Sequence, residues 1–273
     1  MRKPLGIPKL AIAVLAAAGL AASAYANLGS IISSFPANFG LSHSVCRDAD
    51  YVYIVTIPYH GFSGGFYKYT PTGSRIGFNG FIPSEERVPE DADVGFLGPG
   101  YLTVALEAGI STYNMEGFFV REDHHTLIES IGYAYRTGGP YYYVETGSYK
   151  DAVYAVYRFD TTGSLLGSFT PAYPGSLAAT DRFDGMTGEY LIAAAGTASA
   201  AYTPLGSVVA TFPVDVGWHM GCGIGPGYPA SYGPTLWIGH YVGAGSGWIY
   251  QIDLGNATAV EPTSLGKVRA VFK

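Results

Sequence analysis

Charge is scarce in this sequence. Asp, Glu, Lys and Arg make up 13% of its 273 residues, and the 21 acidic side chains outnumber the 15 basic ones. A chain so poor in Lys and Arg lacks the basic patch that nucleic acid requires, so no nucleic-acid partner is expected. Cysteine is nearly missing too, with two in the whole chain, which excludes a small disulfide-dense scaffold. Long apolar runs are absent after the first 26 residues, and the one before that point, Leu10 to Leu20, falls short of the ~20 residues a membrane-spanning helix needs. Helical periodicity is missing as well: Gly or Pro interrupts nearly every fifteen-residue window, and no apolar stripe with caps survives.

What the chain does contain is 38 Gly, 17 Pro and 23 Tyr. That composition belongs to short strands and tight turns and argues against disorder. The start reads as an export address: Arg2, Lys3 and Lys9 precede the apolar run, and Ala24-Tyr25-Ala26 is a small-x-small cleavage site. The expected organisation is therefore a secretory signal peptide at 1–26, one domain at 27–256 and a tail at 257–273. The expected location is outside the cell, on its surface or in a periplasm, with no membrane span once the signal is removed.

The domain carries an internal echo. A glycine that closes an aromatic strand and opens a β-branched one recurs at Gly29, Gly73, Gly117, Gly163 and Gly206, with a last copy at Gly255, at spacings of 43 to 49 residues. The period matches the ~40–50 residues of a four-stranded propeller blade and exceeds the ~20–30 of leucine-rich solenoid coils. After each glycine comes an outer strand that runs into Phe and Pro, as in Ser30 to Pro36, Leu165 to Pro171 and Val208 to Pro213. Pro cannot donate to a central ladder, so it marks an edge. The second strand is a near-continuous apolar run beginning at Tyr51, Tyr101, Tyr141, Tyr190 and Leu236, as for a strand buried on both faces. A third strand leads to the next glycine through turns such as TPTG, DTTG and TPLG. The innermost strand is the weakest part of the pattern. The phase of the repeat leaves a lone outer strand at the N-terminus and a blade lacking one at the other end. The expected fold is all-β: a five-bladed β-propeller of four-stranded antiparallel blades, its ring closed by the N-terminal strand.

This rhythm resembles secreted bacterial propeller repeats of the broad kind that includes NHL-like and streptogramin-lyase-like propellers, over about Gly29 to Gly255. The tail, Glu261 to Lys273, is loosely similar to C-terminal segments of secreted proteins from uncultured bacterial lineages, and no role is assigned to it on that ground.

Chemistry has few candidates. His43 and Cys46, and His219 and Cys222, form two His-x-x-Cys motifs at matching places in the first and fifth repeats, which ring closure makes neighbours. A Cys46–Cys222 disulfide across the closure is the first reading. Two buried thiols are the second. A His2Cys2 zinc site built from all four residues is the third, and it needs a bulge, because residues three apart on a strand point to opposite faces. Zinc is the only cofactor this implies. Asp48, Asp50, Asp91, Asp93, Asp181 and Asp184 precede the inner or second strands, where loops crowd one mouth of a propeller channel; five-bladed glycosidases place their carboxylates there. Turn-capping is the preferred reading of these residues. Glu122-Asp123-His124-His125 reads as a solvated loop, and Asn256-Ala257-Thr258 is a glycosylation sequon. Loop aromatics offer rigid contact surface: Tyr59, Phe62, Tyr141, Tyr228 and Trp237 are the candidate binding residues. The tail ends in KVRAVFK, basic against an acidic body, and three roles stand for it: to fold back on its own ring, to add a strand to another subunit and so build an oligomer or filament, or to serve export or anchoring.

The function expected is that of a non-catalytic interaction or structural module with a protein or glycan surface as partner. Two alternatives stand beside it: a channel-mouth glycosidase or lyase, and a carbohydrate-binding lectin.

Overall fold

The computed structural model describes residues 28–256, apart from 39–41, 57–63, 83–88, 95–99, 107–108, 125–129, 135–140, 149–152, 161–163, 174, 196–197, 217–218 and 244–245. Twenty strands are assigned there, with one 3-10 turn at Ala230–Tyr232 and no helix long and apolar enough to cross a membrane among the described residues. The chain opens with β1 (Ile31–Asn38). Blade one then holds β2 (Ser42–Arg47), β3 (Val52–Thr56), β4 (Gly65–Tyr69) and β5 (Arg75–Gly80). Blade two holds β6 (Pro89–Val94), β7 (Tyr101–Leu106), β8 (Gly109–Asn114) and β9 (Phe119–His124). Blade three holds β10 (Ser130–Ala134), β11 (Tyr141–Ser148), β12 (Val153–Asp160) and β13 (Leu165–Phe169). Blade four holds β14 (Ser176–Phe183), β15 (Met186–Ala195), β16 (Ala198–Tyr202) and β17 (Val208–Pro213). Blade five is built from β18 (His219–Pro226), β19 (Pro234–Gly243) and β20 (Ser246–Ile252), and its outer strand is β1. Five four-stranded antiparallel sheets thus form a five-bladed β-propeller closed by the N-terminal strand, as the phase of the repeat requires.

The closing joint reproduces an ordinary turn of the repeat. In blade one the Thr70 N–H donates to Ser74 O (2.8 Å), the Gly73 N–H to Thr70 O (3.0 Å), and the Ser74 N–H to Thr70 Oγ1 (2.9 Å). Asn114 and Thr203 anchor the same turn in blades two and four, with Gly117 and Gly206 in the glycine position. Gly73, Gly117 and Gly206 take φ of 93°, 91° and 84°, a region open to glycine and costly for other residues. At the joint, Asp253 N–H donates to Ser30 O and Gly29 N–H to Asp253 O, both at 2.9 Å. Asp253 therefore stands where Thr70 stands, and Gly29 where Gly73 stands, although the chain is broken between them. This corrects one expectation: Gly255 is not the last copy of the echo. It follows Asp253 by two residues instead of three, and the register glycine of blade five is Gly29.

The glycines do a second job. A Cβ on Gly73 would come within 2.7 Å of the Phe35 side chain, and one on Gly206 would run into Phe169. Each turn is therefore packed against the outer strand of the preceding blade. Phe35 and Phe169 also pack, tilted, against the tyrosine that ends the next blade's third strand, Tyr69 (6.0 Å) and Tyr202 (5.5 Å), and Phe81 stacks on Tyr113 (4.2 Å) in the same way between blades one and two. Such pairs add about 0.5–1.5 kcal/mol beyond their burial. The recurrent Phe and Tyr of the sequence are thus one inter-blade lock.

Burial follows strand order. β3 is buried along its whole length, whereas outer strands expose Ile31, Ile76, Phe119, Leu165 and Val208. Inner strands are short of large side chains because they converge on the axis. A Cβ on Gly223 of β18 would lie 2.6 Å from Val45 O of β2, so the first and last inner strands meet backbone to backbone. That crowding is why the innermost strand left so faint a pattern.

Candidate functional site

In blades one, four and five the turn between the first two strands opens on one face of the ring. Residues in and beside these turns, with Val94, Gly100 and Met115 of blade two, wall a cavity of ≈ 820 Å³. Blade one contributes Arg47, Asp48 and Asp50, blade four Asp181, and blade five Ile224 and Ala230, with Val94 and Met115 from blade two. The corresponding loops of blades two and three, 95–99 and 135–140, lie outside the described residues.

Arg47 is the most constrained group in this wall. It ends β2 and is 3% exposed. Its guanidinium donates to the Pro226 carbonyl from Nη1 and to Ala49 O from Nη2 (3.5 Å), while Nε has no hydrogen-bond partner. It sits 4.9 Å from the centre of the Trp237 ring and 5.9 Å from that of Tyr228, in cation–π range of both. Burial lowers its pKa, and the charges of Asp48, Tyr228 and Asp50 oppose that shift.

Asp48 is fully engaged by its own turn. One oxygen accepts the N–H groups of Asp50 and Tyr51 (both 2.8 Å), and the other accepts the Tyr53 hydroxyl at 2.6 Å. Burial, followed by this carboxylate, pushes the Tyr53 hydroxyl far above its usual range. Turn-capping is thus what Asp48 does here. Asp50 and Asp181 differ: both are exposed at the rim. Asp184 lies in the β14–β15 turn with φ of 48°, accepting no role in the cavity wall; its N–H donates to Leu254 O at 2.8 Å. Asp91 and Asp93 fall within β6 and not in a loop, and their side chains lie outside the described residues.

The two cysteines are placed apart. Ring closure does make β2 and β18 neighbours, yet Cys46 packs among Tyr53, Phe66 and Leu102, towards blade two. Cys222 packs with Ala178, Ile192 and Leu236, and its Sγ donates to Ser176 O of blade four at 3.4 Å. The structure holds them as two buried thiols on opposite sides of the joint, not as a bridge. The disulfide expectation is corrected accordingly: adjacent strands were right, but the two side chains leave the joint in opposite directions. The side chains of His43 and His219 lie outside the described residues, and among the described residues no group of three or more His, Cys, Asp or Glu forms a metal cluster.

Of the candidate binding aromatics, Tyr228 is exposed (44%) on the β18–β19 loop at the mouth. Trp237 is a correction: it is fully buried on β19, packed with Val45, Ile54 and Ile249 in the joint, so it serves the core and no ligand. Tyr59 and Phe62, like His125, lie outside the described residues, as do the side chains of Tyr141, Asp123 and His124. Sequence reasoning missed Arg47, because a lone Arg before an Asx turn has no periodic signature. It missed Met115 and Ile224 for the same reason.

No protein-family model matches the chain, and neither does any curated protein sequence. Among solved structures it is similar to the WD40 domain of Neurospora crassa Pan2 at 9% identity and a TM-score of 0.45, over 81% of this chain and 65% of that domain. The chain thus spans slightly less than two thirds of that domain. It is similar as well to a luciferin-regenerating enzyme (11% identity, TM-score 0.47, 81% of this chain and 95% of the enzyme). A Bacteroides caccae protein of unknown function matches 72% of this chain and 69% of its own at 13% identity, with a TM-score of 0.44. At such identities no activity and no partner is carried over to this chain.

Proposed function

We propose that the chain is an exported interaction module, non-catalytic, whose rigid five-bladed ring presents the mouth cavity to a protein or glycan surface. The observation that carries this reading is the division among the charged groups of the mouth. Asp48, one of the six carboxylates a channel-mouth glycosidase could draw on, has both oxygens engaged in holding its turn. Asp50, Asp181 and Tyr228 instead stand exposed at the rim, the arrangement of contact residues. A rigid aromatic with adaptable polar neighbours suits recognition at low entropic cost. The leader at 1–26 supports export, and the strand rhythm supports kinship with NHL-like and streptogramin-lyase-like repeats. The lectin reading keeps Tyr228 and loses Trp237.

Glycan arrays and cross-linking on intact cells, run with wild type and an Asp50→Asn, Asp181→Asn, Tyr228→Ala variant, test this. Binding that the variant loses while its circular dichroism is unchanged supports the module. Turnover of glycosides or a lyase substrate that depends on Asp50 or Asp181 overturns it.

A further inference from the structure

We infer that the mouth receives the chain's own basic end, Lys267 to Lys273, inserted in cis. This rests on the reading of the mouth as a recognition surface. The path of the chain leads there. Asn256 is buried and pinned between two mouth loops: its Nδ2 donates to Arg182 O (3.1 Å) and Pro234 O (3.0 Å), and its Oδ1 accepts the Gly185 N–H (3.3 Å). Pro234, Gly233 and Asp181 belong to the cavity wall. Asn256, the last described residue, therefore lies at the rim of the cavity. The eleven steps to Lys267 reach up to roughly 36–40 Å when extended, ample to turn back into the mouth.

The chemistry of the two parts is complementary. Residues 28–256 carry nine Lys and Arg against twenty Asp and Glu, a net charge of −11, whereas Lys267, Arg269 and Lys273 face no acid within KVRAVFK. In an extended chain Val268, Ala270 and Phe272 share one side, opposite the three cations. The cavity offers the matching pair of surfaces: Val94, Met115, Ile224 and Ala230 for the apolar side, Asp50 and Asp181 for the basic one. The wall also contains a buried donor without a partner, Arg47 Nε, and an inserted peptide brings the carbonyl acceptors that such a group lacks. The cavity lies within the ~300–1,000 Å³ typical of ligand sites. A tether this short gives an effective concentration in the millimolar range, which favours insertion in the same copy over insertion in a neighbour.

Zero-length carbodiimide coupling of the full chain, with peptide mapping, tests the insertion. Equal mixtures of unlabelled and 15N-labelled protein identify which copy supplies each partner. The expected result is an amide between the amine of Lys267 or Lys273 and the carboxyl of Asp50 or Asp181, always within one copy, with a yield falling at least about tenfold in the Asp50→Asn, Asp181→Asn variant. Coupling of those lysines to carboxylates elsewhere, mixed-isotope products, or no coupling of the tail each overturn it. In parallel, a labelled LGKVRAVFK peptide is titrated into full-length protein bearing Lys267→Ala, Arg269→Ala and Lys273→Ala. Peptide binding without cis coupling would sink the insertion alone and leave the mouth as a recognition surface.

Discussion

Two seams of the ring each hold an arginine beside a Phe–Tyr lock, and they use it in opposite ways. Between blades three and four, Arg158 donates to both oxygens of Glu189 (2.8 and 2.6 Å), and the Tyr143 hydroxyl donates to the same carboxylate. Burial and that carboxylate together push the Tyr143 hydroxyl far above its usual range. Between blades five and one, Arg47 meets two carbonyls and two aromatic rings and no carboxylate. The first seam neutralises its charge internally and is a bolt. The second keeps a cation in the wall of the mouth without a direct carboxylate partner, opposed through space by the charges of Asp48 and Asp50. Identical apolar locks with different charged partners separate what the repeat needs from what the site needs.

The largest effect is expected at the bolt. Glu189→Ala leaves Arg158 and Tyr143 facing a hole, and removing one partner of a buried pair costs about 3–5 kcal/mol. Arg158 keeps a side-chain exposure of 19%, so the lower end of that range applies. Urea unfolding of the full chain reads it, and a loss under about 1 kcal/mol would show that the seam is held by its apolar contacts alone.

The two seams also differ in how legible they were. The apolar lock was written plainly in the sequence, because Phe35 and Phe169 recur before a Pro or a Thr-Pro, Tyr69 and Tyr202 recur before the turn, and Gly73 and Gly206 recur after it. Those positions obey the symmetry of the ring, so a period of 43 to 46 residues exposes them. Even the closing strand follows from that phase. Arg47, Arg158 and Glu189 each occur in one blade only, and a pairing that happens once leaves no period. Side-chain direction was equally hidden: strand neighbourhood put Cys46 beside Cys222, but only the packing shows one facing blade two and the other blade four. Trp237 was misjudged because a Trp next to a Gly- and Pro-rich loop looks like a contact residue, while its place in an apolar run of a second strand makes it core.

If the locks are equivalent, Gly73→Ala at the mouth seam and Gly206→Ala at the bolt seam should cost the same, about 2–3 kcal/mol each, from positive φ and from collision with Phe35 or Phe169. Thermal or urea midpoints of the two variants compare them directly. A difference beyond about 1 kcal/mol would mean that the charged partners feed back on the lock, and the separation drawn above would fail.

A smaller effect concerns Asp253, which carries the broken turn of the closing joint. Burial raises its pKa, against hydrogen bonds from the Gly255 and Asn256 backbone. A carboxyl raised in the folded state holds its proton longer than in the unfolded one, so its contribution is whole below about pH 4 and declines as pH climbs through the folded value. Asp253→Asn removes that slope. Its stability relative to wild type should therefore improve as pH rises above about 4 and level off once the folded Asp253 has lost its proton, read by urea titrations, and a flat or opposite trend would place the carboxylate in a site that favours its charge.

The smallest effect is the most telling. Arg47→Met puts an apolar side chain beside the Trp237 ring and removes a charge that has no carboxylate in contact, so it should lie within about 1 kcal/mol of wild type, as apolar replacements of buried charges often do. Losses and gains offset: the carbonyls of Pro226 and Ala49 give up a donor and the cation–π contacts with Trp237 and Tyr228 go, while the unpartnered Nε and the desolvation of the charge disappear. A large loss would make Arg47 a second bolt. Near-neutral stability, joined to weaker binding of an acceptor-rich ligand at the mouth, would mean that the ring tolerates this cation for the sake of the cavity it lines, since nothing in the closure of blades five and one requires it.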